Sequence, residues 1–330
     1  MTTTETTTAG QPRPNHTTLG RTGLDVSVAC LGTGGHSRLG QEYGTSFASS
    51  VGVVAAAIDA GITFIDTAAG YDTEEIVGAA IAGRRDQLVI STKNHIVKKG
   101  SDFLGDDFIT GAEYKELVDA SLRRLGTDHI DILHLHGIVA SQYDYCVSEM
   151  VPALDELRQA GKIRFTAISE RFYVEPEHDL LLRALEDDYF DVMMVGFNLV
   201  NHTALRTVVP KAKAKGVGLQ GIYAVRGKLT DAAHAQGLID ESVRLGEIDP
   251  AELDADPLGF LTAPGVASSL VEACYRYNRW ADGVDTTLTG TGSIEHLRDN
   301  LAALSLPPLP DATLAQIERL FGRVRTVTGE

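Results

Sequence analysis

The chain has only three cysteines, Cys30, Cys146 and Cys274, and no Cys-x-x-Cys. An odd, scattered set of this kind argues against a disulfide framework, a structural zinc site and an iron–sulfur cluster; it reads as three buried, inert thiols. Long apolar runs are also missing, since none reaches the ~20 residues that span a bilayer. Basic charge is in short supply: 29 Lys and Arg face 45 Asp and Glu, a formal net charge of −16. A surface that acidic repels nucleic acid and anionic lipid. Residues 1–14 are Thr-rich and lack the apolar stretch of a secretory signal, so they read as a disordered tail. These absences point to a cytoplasmic protein with a small-molecule partner, no metal, no nucleic acid and no membrane.

What is present is a regular alternation. β-rich runs fall at 29–32, 63–66, 87–93, 129–136, 163–168, 190–195, 218–222 and 285–289. Between them, apolar residues recur at three-to-four spacing over 46–60, 74–82, 111–125, 147–160, 177–186, 203–215, 264–281 and 293–303. Gly61, Gly161 and Gly216 each stand just past a helical pattern and before a strand. Eight β-α repeats predict a single (β/α)8 TIM barrel of the α/β class over residues 15–330. The surplus is an N-terminal β-hairpin (17–19 with 24–26), a long seventh βα loop (223–263) and an extra C-terminal helix (312–324). A doubly wound dinucleotide-binding sheet is the alternative, but its third glycine is absent: Gly32-Thr33-Gly34-Gly35-His36-Ser37 has Ser37 there.

In such a barrel the side chains at strand C-terminal ends converge on the active site. Asp66 ends the second strand, Lys93 the third and His136 the fourth, and Tyr71 lies in the loop after Asp66. A lysine in a barrel mouth needs an anionic partner, which Asp66 supplies. An ammonium beside a phenol favours its ionised form and makes Tyr71 a proton donor near neutral pH. His136 would hold the substrate oxygen. Taken singly, the ion pair reads as rim structure and the tyrosine as packing; four such residues at one rim read as a catalyst. His134, a layer deeper, reads as a hydrogen-bonded core histidine. The later loops offer Asn94, His95, Phe103, Phe108, Tyr143 and Tyr145 to a substrate pocket. That wall is aromatic with few fixed charges and suits a neutral carbonyl or a sugar.

With these residues in view, the chain resembles the aldo-keto reductases from about residue 17 to 324. The resemblance is carried by Leu19-Gly20-Arg21-Thr22-Gly23-Leu24-Asp25-Val26-Ser27, by Asp59-Ala60-Gly61 through Tyr71, and by Ser91-Thr92-Lys93. Ser121-Leu122-Arg123-Arg124-Leu125-Gly126-Thr127-Asp128 through His136, Gly161-Lys162-Ile163-Arg164, and Gly290 to Asn300 extend it. It implies a (β/α)8 barrel that transfers a hydride between NAD(P)(H) and a carbonyl or alcohol. The family's catalytic Asp, Tyr, Lys and His fall on Asp66, Tyr71, Lys93 and His136. Its carboxamide-binding Ser, Asn and Gln fall on Ser169, Glu170 and Gly196, a departure at the last two. Its stacking aromatic falls on Gly221 or Ile222, neither of them aromatic, with Tyr223 one residue further on. Arg226 falls in the pyrophosphate clasp, and Gly290, Thr291, Gly292, His296, Asp299 and Asn300 in the loop and helix that hold the far phosphates. Family habit favours NADP(H); His296 alone among those phosphate positions can be cationic, so NAD(H) competes. The departures also fit a nicotinamide-binding regulatory subunit with little turnover, or a barrel lyase or isomerase that recycles bound nicotinamide. The intact tetrad weighs against both.

Overall fold

The computed structural model describes residues 15–329, so the tail expected over residues 1–14 lies outside the described residues. Antiparallel β1 (His16–Thr18) and β2 (Asp25–Ser27) open it, with Thr17 opposite Val26. Leu19, Leu24 and Val26 of this hairpin pack with Cys30, Phe64, Val89, Ile132 and Val192, closing the N-terminal end of the barrel. Gly20 makes the fit possible. Its φ is +45°, and a Cβ there would lie 2.3 Å from the Gly218 backbone nitrogen.

Eight parallel strands then close on themselves: β3 (Ala29–Gly32), β4 (Phe64–Asp66), β5 (Val89–Asn94), β6 (Ile130–Ile138), β7 (Ile163–Glu170), β8 (Val192–Gly196), β9 (Gly218–Ile222) and β10 (Thr286–Thr289). They follow chain order, and β10 returns to pair with β3. All eight lie where the alternation places them. β6 and β7 run two residues further than the sequence suggests. Their shared register shifts between Leu135 and Ile138, a bulge in which Gly137 takes φ +61°.

The outer layer holds α1 (Phe47–Asp59), α2 (Glu74–Ile81) and α3 (Gly111–Leu125). Next, α4 (Tyr143–Tyr145) continues through a π-helical turn (Cys146–Met150) into α5 (Val151–Gln159). Then come α6 (Asp179–Asp187), α7 (Thr203–Lys215), α8 (Ala232–Arg244), α9 (Leu270–Arg279), α10 (Ile294–Ser305) and α11 (Asp311–Phe321). Local chemistry sets the ends. In α3, Thr110 and Glu113 form a reciprocal capping box, and Gly126 closes the helix at φ 64°. Strand faces turned outward, such as Ile65, Ile90, Leu133 and Leu135, share one apolar layer with the helices.

The seventh βα segment is more than a loop, because it contains α8. Ala235, Leu238 and Ile239 on that helix bury against Leu261, Ile317 and Phe321 in a second apolar cluster. Their spacing is helical and Asp231 caps the start by accepting from the His234 amide. Cys30, Cys146 and Cys274 are all buried and free. Burial pushes the Cys146 thiol up to about 12. Among the described residues no helix is long and apolar enough to cross a membrane.

Candidate active site

Asp66 is the last residue of β4, and Tyr71 follows in a single 3-10 turn, Ala69–Tyr71. That turn is pinned from below: the hydroxyls of Thr33, Thr73 and Thr67 form a buried chain with links of 2.8 and 2.9 Å. Gly34 gives the ring its place, since a Cβ there would come within 2.5 Å of the Tyr71 ring. Lys93, from β5, donates to Asp66 Oδ2 at 2.5 Å and to the Thr67 carbonyl at 2.8 Å. Ser91, two residues earlier on the same face, donates to the other oxygen at 2.6 Å.

Lys93 and Asp66 are both 1 % exposed. Burial raises the Asp66 carboxyl, and Lys93 and Ser91 pull it back. Burial also opposes the Lys93 ammonium, but the Asp66 carboxylate and the hydrogen bond to it outweigh burial and hold the lysine protonated. The ammonium stands 5.1 Å from the centroid of the Tyr71 ring.

His136 sits at the rim within the bulge of β6, between Leu135 and Ile138. Its Nε2 is 3.4 Å from the Tyr71 hydroxyl, and the two rings meet edge to face. The ring of His95 stacks on it at 4.2 Å. Burial first, then the neighbouring His95, Lys93 and Arg171, hold His136 well below its ordinary value. Burial and Arg171 push His95 down to about 4. Both rings are therefore neutral at pH 7. His134 is wholly buried one layer below, as a core histidine, with the Ile168 main chain and the Gln220 side chain as its polar neighbours.

A cavity of about 720 Å³ opens over these groups. It runs from Asp66, Tyr71, Lys93 and His136, past Ser169, Glu170, Ile222 and Tyr223, to Arg226, Gly290, Thr291, Gly292 and His296. The far end is built closely. A Cβ on Gly292 would lie 2.4 Å from the Gly40 nitrogen, so only a bare backbone lets the two loops meet. Ser293 caps α10 there, its hydroxyl accepting from the His296 amide. Tyr223 adopts φ +67°, rare for an aromatic residue, and contributes to the wall.

Other candidates lie off this wall. Gly196 is covered by Phe172, whose ring carbon would be 2.4 Å from a Cβ at that position. Phe172 thus fills the space that a side chain at residue 196 would take. Glu170 turns its carboxylate away: the side chain has no exposure and accepts from His178 Nδ1 and from the Gly196 amide. What it offers the cavity is main chain. Asn300 braces the Thr289 hydroxyl from behind, and Asp299 faces solvent. His95 backs His136, and the Phe103 ring lies tilted against His95 with centroids 4.7 Å apart. Tyr143 is 1 % exposed with Arg183 over its ring, and Tyr145 stacks on Phe108 and donates to the Ile109 carbonyl. Both sit among the elements around α4, away from the cavity.

The sequence reading missed several wall residues. His36, Ser37, Tyr43 and Thr45 come from the long loop after β3, and Met194 from inside β8. Arg171 and Tyr173 follow directly on β7. Position gave a signal for that pair, because the first residues past a barrel strand face the rim.

The geometry defines a (β/α)8 barrel whose strands' C-terminal ends open into a cavity lined by Asp66, Tyr71, Lys93 and His136. A sequence profile of the Aldo/keto reductase family matches residues 30–321, and the chain belongs to that family. Its relatives are oxidoreductases. L-galactose dehydrogenase of Arabidopsis thaliana is 27 % identical over 323 residues, 94 % of this chain and 95 % of that protein. The NADH-specific methylglyoxal reductase of Escherichia coli is 30 % identical over 274 residues, 74 % of this chain and 79 % of that one. Among solved structures, the holo form of an aldo-keto reductase from Bacillus halodurans superposes with a TM-score of 0.70 at 25 % identity, covering 94 % of this chain and 97 % of that chain.

Proposed function

We propose that the chain is an NAD(P)(H)-dependent oxidoreductase that moves a hydride between nicotinamide and the carbonyl or alcohol carbon of a small aldehyde, ketone or sugar. The observation that carries this reading is the buried Lys93–Asp66 pair beside Tyr71 and a neutral His136, all opening into one cavity. When bound, the nicotinamide supplies or takes up the hydride. In the reducing direction the Tyr71 hydroxyl gives its proton to the developing alkoxide. The Lys93 ammonium, fixed by Asp66, stabilises the phenolate left behind. His136 Nε2 reaches the same point and orients the substrate oxygen. The reverse reaction uses the same groups in the opposite order.

The far half of the cavity suits a dinucleotide. The free amides at the start of α10, the bare Gly290 and Gly292, and the Arg226 guanidinium suit phosphates. Ser169 and the main chain of Glu170 would face the carboxamide, and Tyr223 would lie beside the ring. Arg226 supplies a cation at that end, with His296 across the cavity wall, and family habit leans slightly toward NADP(H). NAD(H) is its competitor, as the NADH-specific relative illustrates. Fluorescence titration with NADPH and NADH, followed by a carbonyl panel, tests the reading. Tight binding with no oxidation of bound cofactor on any substrate would count against catalysis; turnover without net cofactor use would point to a lyase or isomerase.

A further inference from the structure

The wall beside His136 carries a cation that the fold does not neutralise. Arg171 lies just past β7 and is held by three contacts. Its Nε–H donates to the Gly137 carbonyl at 2.7 Å, its Nη1 donates to the Tyr173 hydroxyl at 2.9 Å, and its guanidinium lies 5.1 Å from the centre of the Phe103 ring. None of these partners is charged. Arg21, Arg85, Arg124, Arg158 and Arg164 each pair with an acid, yet among the described residues no carboxylate lies within 4.0 Å of Arg171. Arg123, Arg279, Arg298 and Arg319 likewise form no such pair among the described residues, but of these five arginines it is Arg171 that lines the cavity.

A guanidinium has five N–H donors, and the two spent here leave others for the cavity that Arg171 lines. Lys93 offers no comparable charge, being committed to Asp66. The aromatic residues expected to make a neutral pocket are not those of the cavity wall: Tyr143 and Tyr145 lie elsewhere and Phe103 lies against this guanidinium, while the tyrosines that do line the cavity share it with Arg171, a fixed charge.

We propose that Arg171 selects the substrate: the site takes carbonyl compounds or alcohols that carry an anionic oxygen group, carboxylate or phosphate, on the His136 side of the reacting carbon. The proposal rests on the assignment of Tyr71 and His136 to the reacting end. A fixed, planar fork with spare donors recognises such a group by charge-assisted hydrogen bonds.

Matched substrates test it: 4-carboxybenzaldehyde against benzaldehyde, and glyceraldehyde 3-phosphate against glyceraldehyde, with wild type, Arg171→Met and Arg171→Lys. The wild type should favour the anionic member of at least one pair, and which pair tells carboxylate from phosphate. In Arg171→Met the kcat/KM ratio of anionic to neutral substrate should fall about 10- to 100-fold, mainly through KM, with partial recovery in Arg171→Lys. An equal loss on both members would mean that Arg171 only positions His136 through Gly137, and a loss of cofactor affinity would place it in the cofactor site. Either result overturns the proposal, as does wild-type indifference to charge. Calorimetric binding of benzoate and benzamide to the cofactor-loaded protein separates this from hydride transfer. Arg171-dependent preference for benzoate in a protein that turns nothing over would leave the proposal standing and sink the catalytic one.

Discussion

Lys93 is the side chain on which the site depends, because it is buried, charged and in contact with both functional partners. Lys93→Met would leave the Asp66 carboxylate in the barrel without its counter-charge. Breaking a buried pair in this way costs on the order of 3–5 kcal/mol. The urea midpoint of the variant should fall accordingly, and the double variant with Asp66→Asn should recover part of the loss; a midpoint equal to wild type would show that the pair is solvated. Asp66, Tyr71, Lys93 and His136 were legible in the sequence because a position at the end of a barrel strand dictates where a side chain goes. Glu170 was not legible in the same way. Its place at the end of β7 put it at the rim, but its orientation is set by His178 and the Gly196 amide, partners contributed by later parts of the chain.

At the scale of elements, small backbone devices aim the chemistry. The bulge of β6 follows directly on His136 at the rim, and Gly34 leaves room for the Tyr71 ring. Gly34→Ala would bring a methyl within 2.5 Å of that ring and displace it. A shift approaching an ångström at a reacting group costs on the order of 10²-fold in rate. The expected outcome is a large drop in kcat with an unchanged circular dichroism spectrum; wild-type kcat would show that the ring has slack. Strands and helices were placed by their periodicity, and the hairpin by its glycine turn. The bulge was invisible because nothing in Leu135-His136-Gly137 distinguishes a bulge from a strand end. The helix α8 was overlooked in a stretch treated as loop, although its apolar spacing was present.

For the whole molecule, the buried neutral histidines make stability depend on pH. His95 titrates at about 4 when folded, against about 6.5 in an unfolded chain. Between those values the unfolded state binds a proton that the folded state does not. Stability from this residue is therefore complete above pH ~6.5 and falls as the pH drops toward ~4. Urea midpoints measured at several pH values across that window should decline more steeply for wild type than for His95→Asn. Parallel declines would remove His95 from the account.

The central claim is that Tyr71 exchanges the proton in a hydride transfer. The most direct test is single-turnover oxidation of bound reduced nicotinamide, followed by its fluorescence, in wild type and Tyr71→Phe with the same carbonyl substrate. Loss of a positioned proton donor should slow this step by on the order of 10²–10⁴-fold, while the cofactor dissociation constant stays near that of wild type. Oxidation by Tyr71→Phe at the wild-type rate would contradict the account.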